Sequence, residues 1–104
     1  MAITYNDAAD GQLAAAKGTL YTAGGTEAGL YVTLCNTNSS ALTCTVYVNR
    51  TGTSRKIFVG QLAASGGSVV IKRAGLILKV GDLVEGDDGG TGTKVDYTVS
   101  TYTP

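Results

Sequence analysis

Short runs in which apolar and polar residues alternate with a period of two dominate the chain beyond Gly18. In the clearest run, Leu30–Cys35, the apolar residues Leu30, Val32 and Leu34 occupy every second position. Alternation of this kind places the apolar side chains on one face of an extended strand. Threonine, valine and tyrosine, which fit a half-buried pleated surface, fill most of these runs. The pattern therefore predicts β-strands, each with one buried face.

Eight such segments follow one another, separated by turns rich in glycine, asparagine and aspartate. They are Thr19–Thr22, Leu30–Cys35, Leu42–Asn49, Lys56–Val59, Ser68–Lys72, Leu76–Leu78, Leu83–Val84 and Lys94–Thr101. This number of short strands at nearly regular spacing is typical of a sandwich or a barrel. We predict an all-β domain over residues 18–104, a single antiparallel β-sandwich of the jelly-roll kind.

Residues 1–17 differ from the rest because they are rich in alanine and carry a helix signal. Asp10 is placed to cap a short helix over Gln12–Lys17, although a helix of that length is unstable alone. We predict a flexible N-terminal arm that becomes ordered by contact with another surface. Deleting the arm should then leave the melting temperature of the sandwich unchanged while weakening attachment.

Charge and histidine content exclude several classes of function. Eight Lys and Arg residues balance eight Asp and Glu residues, and the chain contains no histidine. A neutral chain has no electrostatic basis for binding nucleic acid, and without histidine neither a histidine triad nor a zincin site is possible. No segment approaches the ~20 apolar residues of a membrane helix, and the N-terminus lacks the features of a signal peptide. We expect no nucleic-acid or membrane partner and synthesis in a reducing cytosol.

Two cysteines, Cys35 and Cys44, flank the turn-forming residues 36–40. Pairing the two flanking strands so that Leu34 lies opposite Val46 puts both apolar rows on one face and leaves the cysteines out of register. This register predicts free, partly buried thiols, with a cross-strand disulfide as the alternative. Catalysis by either thiol is not expected, because no histidine is present to form a thiolate.

Three further features suggest chemistry but have simpler explanations. The carboxylates of Asp82–Asp88 could hold calcium, but their spacing lacks a ligand pattern and fits hairpin turns. The stretch Gly89–Lys94 resembles a phosphate loop, yet Thr93 separates the lysine from the preceding glycine and a strand follows instead of a helix. Six tyrosines could stack on sugars, although tyrosines in small β-domains more often lie in the core or at interfaces. We predict no catalytic residue, no metal and no cofactor.

The order and spacing of several short motifs resemble those of small virion proteins of tailed bacteriophages. The motifs are Gln12-Leu13 with Thr19–Thr26, then Val32–Thr37, Thr45–Val48, Gly75–Asp82 and Val95–Ser100. Together they cover roughly residues 12–100. Gly24-Gly25 stands where such proteins often have a turn that contains proline, which changes the rigidity of that turn but not the order of the strands.

This resemblance implies a capsid decoration, or cement, protein. Proteins of this kind bind outside the head, bridge neighbouring copies of the major capsid protein, and are often homotrimers. The location implied is the exterior of the virion, after synthesis in the cytoplasm of the bacterial host. The alternatives are a tail, neck or fibre module and a domain that binds carbohydrate or the host surface.

The predicted contact residues lie in the arm and among the tyrosines. An arm ordered on a neighbour adds buried area across a subunit boundary, and repeated contacts on a symmetric shell gain from multivalency. For contacts to the capsid or to a neighbouring subunit we predict Ile3, Tyr5, Gln12, Leu13, Tyr21 and Tyr102.

Overall fold

The computed structural model, which describes the backbone of residues 4–103 and the side chains of residues 9–102, contains eight β-strands and no helix. The strands are β1 Thr4–Gln12, β2 Gly18–Thr22, β3 Glu27–Asn36, β4 Leu42–Arg50, β5 Thr53–Leu62, β6 Ser68–Leu78, β7 Leu83–Asp87 and β8 Val95–Thr103. The predicted all-β class is confirmed. The predicted strands Ser68–Lys72 and Leu76–Leu78 are one strand, β6, and β1 is the additional strand. Nothing in residues 4–103 forms a helix long and apolar enough to cross a membrane.

The strands form two antiparallel four-stranded sheets. Sheet A has the order β1-β8-β3-β6 and sheet B the order β2-β7-β4-β5. The first half of the chain pairs with the second half in reverse order, β1 with β8, β2 with β7, β3 with β6 and β4 with β5. This is the arrangement of an eight-stranded jelly roll, and it confirms the predicted sandwich.

The core lies between the two sheets and is built from the alternating positions seen in the sequence. From β3, Leu30, Val32 and Leu34 point inward and are fully buried, and Val46 of β4 faces them from the other sheet. The remaining buried apolar residues complete one cluster: Leu13, Leu20, Ala23, Cys44, Val48, Leu62, Ile71, Leu78, Val84, Val95 and Val99. Each leucine, isoleucine or valine side chain buried there contributes roughly 1.5–3 kcal/mol from removal of its surface from water.

The predicted hairpin between the strands that carry the two cysteines is wrong. Strand β3 pairs with β6 and β8, whereas β4 pairs with β5 and β7, so the two strands lie in different sheets. The connection between β3 and β4 therefore crosses the sandwich, and the side chain of buried Asn36 holds it in place. The amide nitrogen of Asn36 donates to the carbonyls of Ser40, Leu62 and Ala63. The side-chain oxygen of Asn36 accepts a hydrogen bond from the backbone amide of Asn38.

The predicted helix over Gln12–Lys17 is also absent. Gln12 ends β1, the amide of Leu13 donates to the carbonyl of Val95, and the carbonyl of Ala14 accepts from the amide of Asp88. These tertiary bonds use the backbone groups that a helix would need, and they outweigh the helix propensity of alanine. The division of the chain at residue 17 stays a prediction.

Candidate functional site

The predicted contact residues occupy three different environments. Ile3 and the side chain of Tyr5 lie outside the described residues. Gln12 is exposed at one end of sheet A, and its Nε2 donates to the carboxylate of Asp96 at 3.1 Å. Tyr21 and Tyr102 are half-buried near the other end of β8, roughly 20 Å away by strand geometry.

Leu13 lies wholly in the hydrophobic core, with 0% of its surface exposed. Its side chain therefore presents no surface to a partner of the folded monomer. The alanines that follow it, Ala14–Ala16, are exposed. If this part of the chain contacts a partner, the contact is made by the exposed residues on either side of Leu13.

A buried carboxylate, Glu27, connects the two sheets beside Tyr21. Glu27 is 6% exposed, and its Oε1 accepts hydrogen bonds from the hydroxyls of Tyr21 and Thr101, both at 2.5 Å. Its Oε2 accepts from the amide of Gly24 at 3.2 Å, which closes the turn between β2 and β3. Hydrogen bonds to an ionised acceptor are the strong ones. The cluster therefore holds the Tyr21 ring in place, and its role as a contact residue stays a prediction.

Burial makes the fold sensitive to alkali. Burial and the hydrogen bond to Glu27 raise the pKa of Tyr21 from 10.0 to about 12, and burial with the charges of Asp88 and Asp87 raises the pKa of Cys44 from 9.0 to about 11. Between about pH 9 and pH 12 the unfolded chain releases these protons while the folded chain still holds them, so stability falls as pH rises.

We expect Tyr21→Phe to show a smaller loss of stability than the wild type between about pH 8 and pH 10.5, because one of the groups that cause the loss is gone. At pH 8 the variant should be less stable by about 1 kcal/mol, since one hydrogen bond to Glu27 is removed. Urea unfolding midpoints at the two pH values measure both effects. Tyr31→Phe, which removes a hydroxyl from the outer face of sheet A, is the control, and an equal drop in all three proteins would contradict the assignment.

A second polar cluster covers the outer face of sheet B. Lys17 Nζ donates to Ser54 Oγ at 2.9 Å and lies 5.4 Å from the centre of the Tyr47 ring, while Ser54 Oγ donates to Glu85 Oε1 at 2.6 Å. A lysine next to a serine resembles a base with its nucleophile. Here, however, the lysine nitrogen donates to the serine oxygen, and the serine hydroxyl directs its proton to the Glu85 carboxylate and not to the lysine. The cluster is therefore structural.

The carboxylates of Asp82–Asp88 point to separate partners. Asp82 accepts from the amide of Lys79 and lies 3.5 Å from Arg50 Nε, and Asp87 accepts from the hydroxyl of Tyr47 at 3.0 Å. Among the described residues, no three Asp, Glu, Cys or His side chains are grouped closely enough to hold a metal ion. The structure thus assigns these carboxylates to turns and inter-strand contacts. The turns are not the expected hairpins, because β7 pairs with β2 and β4 and its chain neighbours β6 and β8 lie in sheet A.

The glycine-rich loop after β7 is closed by one of those carboxylates. Buried Asp88 accepts hydrogen bonds from the amides of Gly90, Thr91 and Gly92 at 2.6–3.2 Å. In a phosphate loop these amides would bind the phosphate oxygens. A carboxylate already holds them here, so the loop has no free anion site.

Both cysteines are free, as predicted. Cys44 lies in the core, and burial raises the pKa of its thiol, which makes it a poor nucleophile. Cys35 is half-buried on the outer face of sheet A. Neither cysteine has a histidine to activate it, because the sequence contains none.

The positive charges of the chain are concentrated on one side of the sandwich. Six of the eight Lys and Arg residues fall within residues 50–79, and that segment contains no Asp or Glu. They are Arg50, Arg55, Lys56, Lys72, Arg73 and Lys79. We call this side, formed by edge strands β5 and β6 with the residues that flank them, the β5–β6 face. The excess of positive charge in residues 50–79 is visible in the sequence, but only the strand topology shows that β5 and β6 lie next to each other.

Exposed apolar residues lie on the same side. Within the described residues, the four large apolar side chains that remain exposed are Val59, Val70, Ile77 and Val80, at 56%, 61%, 46% and 73%. All four belong to β5, to β6 or to the loop that follows β6. Exposed apolar residues gathered with charged ones mark interaction surfaces more often than scattered ones do.

Arginine side chains bridge the open boundary between β5 and β6, which belong to different sheets. Arg73 Nη2 of β6 donates to the carbonyl of Ile57 in β5 at 2.7 Å, and Arg50 Nη2 of β4 donates to the carbonyl of Ile77 in β6 at 2.5 Å. At one end of this boundary a groove of about 460 Å³ opens, lined by Val48, Arg50, Thr51, Thr53, Arg55, Ile57 and Leu76. We call it the groove end of the face, together with Ile77 and Lys79, which line the adjoining pocket, and exposed Val80, which follows Lys79 in the chain.

No protein-family model and no curated protein matches this sequence. Solved structures do share its fold. A subunit of Bacillus endospore appendages, described as disulfide-linked pili, has a TM-score of 0.58 at 15% identity, over 96% of this chain and 85% of that one. The infectious bursal disease virus Gx strain contains a chain with a TM-score of 0.53 at 12% identity, over 97% of this chain but only 32% of the viral one. At these identities the likeness shows a common sandwich fold.

Proposed function

We propose that this protein is a structural subunit of a virus particle, most specifically a decoration protein on the outside of a bacteriophage capsid. The observation that carries the proposal is the groove end of the β5–β6 face. It joins a groove with an apolar floor to exposed Ile77 and Val80 and to the charges of Arg55 and Lys79, while Arg50 is already paired with Asp82. Such a surface fits an apolar segment flanked by carboxylates on a major capsid protein.

Three further points support a docking role rather than catalysis. The polar clusters at Glu27, Glu85 and Asp88 have internal partners, so none is available for substrate chemistry. The sequence motifs resemble phage virion proteins. The shared fold also occurs in an appendage subunit and in a virus structure, both of which are assemblies of many copies.

Counting copies per particle tests this proposal. Quantitative gel analysis of purified virions is expected to give hundreds of copies for each head, and the protein should bind mature heads but not free capsid subunits. Val80→Asp, placed at the groove end and away from the core, should reduce this binding at least tenfold, whereas Thr33→Asp on the outer face of sheet A should leave it unchanged. Absence of the protein from purified particles would contradict the proposal.

A subunit of an extended tail or fibre is the second candidate. The likeness to the pilus subunit favours it, because that match covers most of both chains. Copy number separates the two candidates: about six or twelve copies for each particle would indicate a tail, neck or fibre position.

A further inference from the structure

The two edges of sheet A carry opposite charge. Edge strand β6 carries Lys72 and Arg73, whereas the opposite edge strand β1 carries Asp7 and Asp10, with Asp96 on the adjacent strand β8. Asp10, Asp96 and Lys72 are all exposed. A molecule with no net charge is therefore polar across this sheet, positive at β6 and negative at β1.

Both edges also have backbone groups available for pairing. Within residues 4–103, β1 pairs only with β8 and β6 pairs only with β3, so each has one side without a neighbouring strand there. The arginine bridge at Ile77 lies near the C-terminal end of β6, at least five residues along the strand from Ser68–Lys72. Unpaired strand edges are the usual place at which one chain adds a strand to another.

We propose that the β6 edge of one copy docks against the β1 edge of a second copy, so that sheet A continues from one copy to the next. Charge complementarity selects this partner. Two β6 edges would place Lys72 and Arg73 against their own copies, and two β1 edges would place Asp10 against Asp10, both of which are repulsive. Because each copy has one edge of each kind and no net charge, the pairing repeats without a build-up of charge.

The contact between copies joins two different edges, β6 of one copy and β1 of the next. Such a heterologous contact generates a closed ring where the rotation between copies closes, and an open chain where it does not. Val70, which is 61% exposed in the middle of the β6 edge, would be covered in this contact. The groove end of the β5–β6 face lies farther along and stays free, so self-association and lattice docking use separate surfaces.

Charge reversal on each edge tests the proposal with the full chain. In sedimentation velocity at low salt, the wild type should associate, and either Lys72→Glu or Asp10→Lys should raise the dissociation constant at least tenfold. Mixing the two variants should restore association, because the first keeps an intact β1 edge and the second an intact β6 edge. Lys56→Glu, on β5 of sheet B, makes the same change in net charge as Lys72→Glu without altering either edge of sheet A, and it should behave as the wild type. Melting temperatures confirm that each variant is folded.

Several outcomes would overturn the proposal. A wild type that stays monomeric at millimolar concentration excludes it, as does association that survives both reversals. If Lys72→Glu weakens association while Asp10→Lys does not, the basic edge binds something other than β1. A monomer that still decorates purified particles would refute this inference while leaving the proposed function intact.

Discussion

Replacing Leu13 by alanine is expected to lower the free energy of unfolding by about 3 kcal/mol, within the range measured for fully buried leucines. Leu13 follows an edge strand, yet it is completely buried and lies against Gly86 of sheet B. Its backbone also joins Val95 and Thr93 through two hydrogen bonds. The alanine variant keeps those bonds and leaves a cavity between the sheets. For a domain of this size the melting temperature should fall by roughly 10 °C or more.

Val80→Ala is the control for this substitution. It also removes apolar volume, but from a side chain that is 73% exposed, and it should change stability by less than about 0.5 kcal/mol. Equal stability of Leu13→Ala and the wild type would show that Leu13 is not part of the core. Thermal melts and urea unfolding of the three proteins give the comparison.

Leu13 also sharpens the test of the predicted arm. Deleting residues 1–11 removes most of edge strand β1 but keeps Leu13, whereas deleting residues 1–17 removes Leu13 and the Lys17 contact to Ser54 as well. On the structure we expect the shorter deletion to remain folded and the longer one to be strongly destabilised. Equal melting temperatures for the longer deletion and the full chain would support a separable arm ending at residue 17.

The sequence pattern was sufficient for the fold class but not for the pairing of strands. Alternation in Leu30–Cys35 and in Leu42–Asn49 correctly identified which side chains point inward. It could not tell whether two inward faces lie side by side in one sheet or face each other across a sandwich, because both arrangements bury the same residues. The choice depends on long-range partners, such as β8 for β3, that no local pattern records.

The proposed functional surface was harder to predict from the sequence than the fold class, because it too depends on which strands are neighbours. The sequence shows that residues 50–79 contain six Lys and Arg residues and no acid. Whether these charges form one surface depends on β5 and β6 being neighbouring edges of different sheets. The alanines before Lys17, with Asp10 as a cap, predicted a helix from local preferences, and tertiary hydrogen bonds formed instead. Local preferences are weak, a few tenths of a kcal/mol for each residue, and contacts of this kind decide between them.

Gly29→Ala is expected to lower stability by about 3 kcal/mol, the sum of a backbone term and a packing term. Gly29 lies in β3 at a register shift and has a φ of 65°, a left-handed conformation that an alanine adopts only with strain. A Cβ atom added there would also overlap the ring of Tyr102. The Tyr102 ring therefore packs over this glycine, which accounts for the half-buried state of a tyrosine that the sequence suggested as a contact residue.

Gly75→Ala supplies the matched control, because it lies in the paired strand β6, is exposed, and has no atom within 4 Å of an added Cβ. That substitution should be neutral or stabilising by up to about 0.5 kcal/mol, since it reduces the freedom of the unfolded chain. Combining Gly29→Ala with Tyr102→Ala separates the two terms: relief of the overlap should make the double variant more stable than the sum of the single changes predicts by about 1 kcal/mol or more. If the free-energy changes of the two single variants add exactly in the double variant, backbone strain is the sole cause of the loss of stability in Gly29→Ala. If Gly29→Ala is as stable as Gly75→Ala, the packing of the Tyr102 ring on this strand is refuted.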